Sequence, residues 1–141
     1  MRRPWHLWAV GIVTLVWNAM GAVDYLMTQF RVEAYLAQFT PEQLAFFESF
    51  PAWVTATWAL AVWLAVAGSL SLLWRHRTAP VFFGLALLFM LATAVHNFGL
   101  SDVRMDEVAG PEALWFTLAI FVVTLASWLY ARAMRQRGVL R

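Results

Sequence analysis

The sequence predicts an all-α membrane protein: a transmembrane four-helix antiparallel bundle with a short amphipathic helix in its first outer loop. Three observations lead there. Residues of the set AVILMFWYC make up 62% of the 141-residue chain, charged residues 13%, and mean hydropathy is +0.66. A soluble domain carries about 45–50% apolar and about 25% charged residues, and so few charges would leave large apolar patches facing water. Four segments each supply the roughly 20 apolar residues that cross a hydrocarbon core of about 30 Å at about 1.5 Å per residue. Finally, the arginines and the acids are sorted between alternate connections. The composition argues against a disordered chain and a nucleic-acid-binding module, and the absence of cysteine excludes disulfides, thiolate metal sites and a cysteine nucleophile.

The first span covers about 5–28. Arg2 and Arg3 precede it, and small residues follow its centre, which invites comparison with a secretory leader. The apolar run continues through Val23 to Met27, longer than a leader core, so it is read as an uncleaved span. The 30–50 connection contains Thr40-Pro41-Glu42-Gln43, an N-cap, a first-turn proline and an acid, followed by Leu44, Phe46, Phe47 and Phe50. This predicts a short amphipathic helix over 40–48, lying on the outer interface as a lid over the bundle end. The second span covers 52–74 and the third 80–100, joined by a turn so short that the two must be antiparallel neighbours. The fourth covers 112–133. Pro51, Pro80 and Pro111 stand at or just before first turns, where a missing N–H costs nothing, and Gly138 can end the last helix. The runs lack the period-two alternation of a membrane strand. The whole chain, 1–141, reads as one integral membrane domain.

Orientation follows from the arginines. Arg2, Arg3, Arg75, Arg77, Arg132, Arg135, Arg137 and Arg141 lie on one side with no acid among them. Arg31 and Arg104 lie opposite, with Glu33, Glu42, Glu48, Asp102, Asp106, Glu107 and Glu112. Both termini are therefore expected to be cytoplasmic.

The stretch from Trp17-Asn18 through Asp24-Tyr25 to Gln29, with Glu33-Ala34-Tyr35, Thr40-Pro41-Glu42, Phe50-Pro51-Ala52-Trp53 and Gly68-Ser69-Leu70, resembles a family of small four-span proteobacterial inner-membrane proteins often labelled sugar transporters or hypothetical. The resemblance covers nearly the whole chain. It implies a multi-pass protein of the bacterial inner membrane and hints at solute transport, and it carries over no catalytic residues.

Within the spans, Gly11, Thr14, Asn18, Gly21, Ala22 and Tyr25 form one stripe of the first helix, and Thr57, Ala61, Ala65 and Gly68 a similar line on the second. Such stripes let membrane helices approach closely. Asp24 is the one acid inside a span and needs a partner. His96 and Asn97 stand at similar depth on the third span, on a face expected to run Leu85, Phe89, Ala92, His96 and Gly99. If the first and third spans share an inner face, Asp24, Tyr25, His96 and Asn97, with Asn18 below, form an outward-opening polar cluster. Glu112, Trp115 and Trp53 would ring its mouth. That cluster reads either as a helix-registry pair or as a ligand-binding pocket. Nine tryptophans are divided between span ends, as an aromatic belt requires, and deeper positions.

The functional expectation is a small-solute, sugar-like binding or transport protein, with homo-oligomerisation supplying any transport pathway. The alternative is a non-catalytic accessory subunit filling a groove in a larger membrane complex. Lipid is the expected surrounding and nucleic acid is not a partner. An enzyme is not expected, since no Ser/His/Asp spacing, HExxH motif or metal cluster is present, and neither is a metal or other cofactor; a lone span histidine gives no bis-histidine haem site.

Overall fold

A computed structural model describes residues 3–141; Arg2, counted above with the basic side, lies outside the described residues. Four helices long and apolar enough to cross a membrane dominate it: α1 (Trp5–Gln29), α4 (Ala52–Leu73), α5 (Ala79–Val95), which continues through a π-helical turn (His96–Leu100), and α7 (Glu112–Gln136). Three short helices occupy the connections, α2 (Glu33–Leu36), α3 (Pro41–Glu48) and α6 (Met105–Ala109). No strand occurs among the described residues. The fold is an all-α four-helix bundle.

The residue pairs across each seam run in opposite senses, so neighbours are antiparallel. Asn18 meets Ala65 and Thr14 meets Ser69 between α1 and α4. Thr57 meets Thr93 between α4 and α5, and Gly84 lies against Trp128 between α5 and α7. The main packing follows chain order, α1 on α4, α4 on α5 and α5 on α7. The α1–α7 seam is the thinnest, bridged by His6 with Tyr130 and by the rings of Trp17 and Phe116.

Small residues set these distances. A Cβ on Gly68 would fall 2.9 Å from the ring of Phe83, so only glycine lets α4 and α5 approach here. The buried positions of α1 are Leu7, Gly11, Thr14, Asn18 and Ala22; four of the six stripe positions are among them, while Gly21 and Tyr25 are only half-buried. Those of α5 are Ala79, Pro80, Phe83 and Ala86, one position off the expected face, and Leu85 and Gly99 are exposed. The line continues to Thr93, whose hydroxyl lies 2.8 Å from that of Thr57. Taking His96 as the centre of the face sets it one residue wrong, because the π-helical turn changes the angular step at that point.

Three spans end alike, in a Schellman arrangement with a left-handed residue just beyond the cap. Gly138 (φ 75°) closes α7, as its sequence position suggests, while Arg31 (φ 53°) closes α1 and Arg75 (φ 58°) closes α4. A left-handed non-glycine residue costs about 1–2 kcal/mol, and both arginines offset it by holding a returning segment. Arg75 Nε donates to the carbonyl of Val139 at 3.1 Å. Arg31 pairs with Glu48 at 3.3 Å.

The expected short helix in the first long connection is α3. Thr40 Oγ1 accepts from the Gln43 amide and the Gln43 side chain accepts from the Thr40 amide, a complete capping box with Pro41 in the first turn. Phe46 buries its ring, and Gln43 Nε2 donates to the Val108 carbonyl at 3.5 Å, which leans α3 on α6.

Candidate ligand site at the acidic end

The left-handed Arg31 folds the chain back over the end of α1, and this reversal carries Tyr35 of α2 over Asp24. The Tyr35 hydroxyl donates to the Asp24 carboxylate. Partial burial, the hydrogen bond to Asp24 and its negative charge together push the Tyr35 phenol well above its ordinary range. Asp24 thus finds its partner eleven residues along its own chain. The expected grouping with His96 and Asn97 is not what forms. The physical reason is placement: α4 packs against both α1 and α5, so the first and third spans do not share a principal seam.

His96 and Asn97 are both buried, on the π-helical turn. His96 Nδ1 lies 3.2 Å from Asn97 Oδ1, and its ring meets Phe50 and Trp53 edge-on at 5.3 and 5.7 Å between centroids. Asn97 Nδ2 donates to Met105 Sδ at 3.8 Å, which ties the turn to α6. Tyr25 packs edge-on against Trp58 at 5.0 Å. Asn18 lies deeper, where Nδ2 donates to the Ala65 carbonyl at 3.2 Å and to Ser69 Oγ at 3.0 Å, and Ser69 in turn donates to Thr14. Its hydrogen bonds are spent on the α1–α4 seam. Glu112 and Trp115 stand exposed on the first turn of α7 and make no polar or ring contact with the residues they were expected to ring. Trp53, half-exposed, does reach His96.

An aromatic layer joins the separated polar pieces. Tyr35 meets Phe39, Phe39 meets Phe47, and Phe47 stacks on Trp58 at 6.1 Å with 25° between planes. Phe50 then touches both Trp58 and His96. Beside this layer lies an open cavity of about 210 Å³. Thr28, Gln29, Arg31, Glu48 and Thr55 bring polar groups to it, and Leu44, Phe47 and Phe50 line its apolar side. The Thr28 hydroxyl donates to the backbone carbonyl of Asp24 at 2.8 Å, while the Asp24–Tyr35 pair itself is not part of the cavity lining.

The rings of Phe47 and Phe50, set edge-on at 71° to each other, facing hydroxyl, amide and charged groups can receive a small polar molecule with apolar faces. The volume lies below the range of about 300–1,000 Å³ that suits drug-sized ligands, so the occupant would be small. No group of three or more His, Asp or Glu side chains converges as a metal site would require, among the described residues. Tyr35, Arg31 and Glu48 stand at this end without having been expected in the site. The usable signal was the Thr-Gln-Phe-Arg end of α1, where a chain reversal returns the next few residues to the last turn. Compared with known protein families, with curated proteins and with solved structures, the chain matches none.

Proposed function

We propose that this four-span protein is a membrane-embedded binding protein for a small hydroxylated solute of sugar-like chemistry, taken into the cavity beneath the α2–α3 cap. The observation that carries the reading is the cavity itself, where Phe47 and Phe50 face the side chains of Thr28, Gln29, Arg31, Glu48 and Thr55. The family resemblance points the same way. The arginine distribution supports both termini in the cytoplasm of a bacterium and the cap on the outer face of its inner membrane. The role is binding without a catalytic step.

Transport by one chain alone is disfavoured, because Thr14, Asn18 and Ser69 turn their polar groups to one another in the α1–α4 seam. A transport pathway would lie between copies. An accessory-subunit reading draws on α7, the least buried of the four spans, whose exposed Leu118, Val122, Leu125 and Leu129 would rest on a larger complex.

The test uses the Phe47–Trp58 stack as reporter. Monosaccharides titrated into the detergent-solubilised protein should change tryptophan emission saturably, and Trp58→Phe should remove most of the change. A flat response across neutral, amino and acidic monosaccharides would defeat the sugar-like reading. Reporter fusions at Arg141 and within 101–111 check the orientation, and an external C-terminus would reverse it.

A further inference from the structure

The cavity beneath the cap carries charges of both signs, and they meet each other. Arg31 stands just past the end of α1 and Glu48 is the last residue of α3. Arg31 Nη2 lies 3.3 Å from Glu48 Oε1. Both line the cavity, and no other ionisable side chain among the described residues does. The lining is therefore neutral in sum. Backbone geometry holds the pair in place. The Arg31 amide donates to the Thr28 carbonyl at 3.3 Å and the Val32 amide to the Met27 carbonyl at 3.1 Å, while α3 is fixed by its capping box and by buried Phe46.

Each partner keeps hydrogen-bonding capacity beyond the shared contact. A carboxylate has several lone-pair sites and a guanidinium several N–H donors, so an acceptor and a donor stand side by side at the cavity. Two neighbouring hydroxyls complement them, one donating to Glu48 and the other accepting from Arg31. Thr28 adds an acceptor, because its hydroxyl proton is spent on the Asp24 carbonyl. A solute with a full charge fares differently, since it meets a like charge beside every opposite one. Arg104, the other arginine of this end, is itself paired with Asp106 at 2.6 Å and lies outside the lining. Loop acids beyond the lining act through water, where salt screens them within about 8 Å.

We propose, resting on the solute-binding reading of this cavity, that the Arg31–Glu48 pair is its specificity determinant, selecting neutral monosaccharides with adjacent hydroxyls over acidic and amino sugars. Either residue without its partner reverses that choice. Unpaired Arg31 favours a carboxylate, which a guanidinium can meet with two parallel hydrogen bonds. Unpaired Glu48 favours an ammonium. The pair is more than half exposed and contributes little to the fold, so its single variants remain folded and report on binding.

The experiment titrates glucose, glucuronate and glucosamine into the detergent-solubilised protein at slightly acidic pH, where glucosamine carries its ammonium, and reads tryptophan emission. The unaltered chain should bind glucose most tightly. Glu48→Gln should move the preference to glucuronate and Arg31→Gln to glucosamine, each by about fivefold, the scale of one exposed ion pair. The exchanged pair, Arg31→Glu with Glu48→Arg, should restore the preference for glucose. Arg104→Gln removes a charge of the same end outside the lining and should leave the preference as it was. Equal affinity for all three sugars in the unaltered chain overturns the proposal. So do single variants that lose glucose without gaining a charged sugar, or a shift in Arg104→Gln as large as in Arg31→Gln. Each of these leaves sugar binding itself standing. No saturable response to any sugar, in the unaltered chain and in every variant, overturns the solute-binding reading and the proposal with it.

Discussion

The two ends of the bundle solve the same problem with different materials. At the arginine-rich end a tight turn and the tail close over an apolar cluster of Leu7, Leu72, Ala79, Phe83, Ala131, Met134, Val139 and Leu140. At the acidic end the 22-residue connection 30–51 forms two short helices over a layer of rings, with an open cavity among them. Both ends use an arginine in left-handed backbone to fold the chain back. Arg75 bonds a backbone carbonyl from within a packed corner, whereas Arg31 and Glu48 form an ion pair more than half exposed. One end is built for rigidity. The other leaves an open cavity.

That comparison can be broken most directly at Phe83. It is fully buried against Gly68, and Phe83→Ala should cost about 3–5 kcal/mol of stability, read as a lowered unfolding midpoint in detergent. An aromatic deletion in the cap should cost far less; a Phe47→Ala loss as large would mean that the cap is as rigid as the core. Gly68→Ala adds a Cβ into the Phe83 ring and should cost about 1–3 kcal/mol by overpacking. If it is silent, the α4–α5 seam is looser than its geometry.

The paired arginines sharpen the contrast. Arg31→Gly relieves backbone strain of about 1–2 kcal/mol and loses an exposed ion pair worth about 0–1 kcal/mol, so it should be neutral or slightly stabilising. Arg75→Gly relieves the same strain but frees the Val139 carbonyl and the tail, which should show as faster hydrogen exchange over 137–141. The reverse ranking would refute the assignment of rigid and open ends.

Tyr35 gives a small loss of stability and a pH signature. Tyr35→Phe leaves Asp24 without its donor and should destabilise the cap by about 1 kcal/mol, visible as faster exchange over 33–39. The folded cap holds the Tyr35 proton more tightly than an unfolded chain, whose tyrosines ionise near pH 10. Its contribution is complete below about pH 10 and is lost as pH rises through the higher folded value. Tyr35→Phe should remove that alkaline loss; an unchanged alkaline profile would show that the pair contributes nothing to the cap.

Much of this was readable from residues a few positions apart. A span needs only length and hydropathy, so the four long helices follow from composition alone. The α3 helix is encoded within Thr40-Pro41-Glu42-Gln43, where the capping groups are three residues apart. The α1 stripe also survives, because small residues at helical spacing can do little else than pack closely. The partner of Asp24 was not readable. Equal depth along two helices says nothing about which helices are adjacent around the bundle, and α4 stands between α1 and α5. The inner face of α5 was likewise hidden by the π-helical turn at His96–Leu100, whose smaller angular step per residue breaks the 3.6-residue period. Local interactions are fixed by nearby residues in the chain. The pairing of Asp24 with Tyr35, the ring layer around His96 and the arginine corner bring together residues whose adjacency depends on how the helices and their connections pack, and only the tertiary structure decides that.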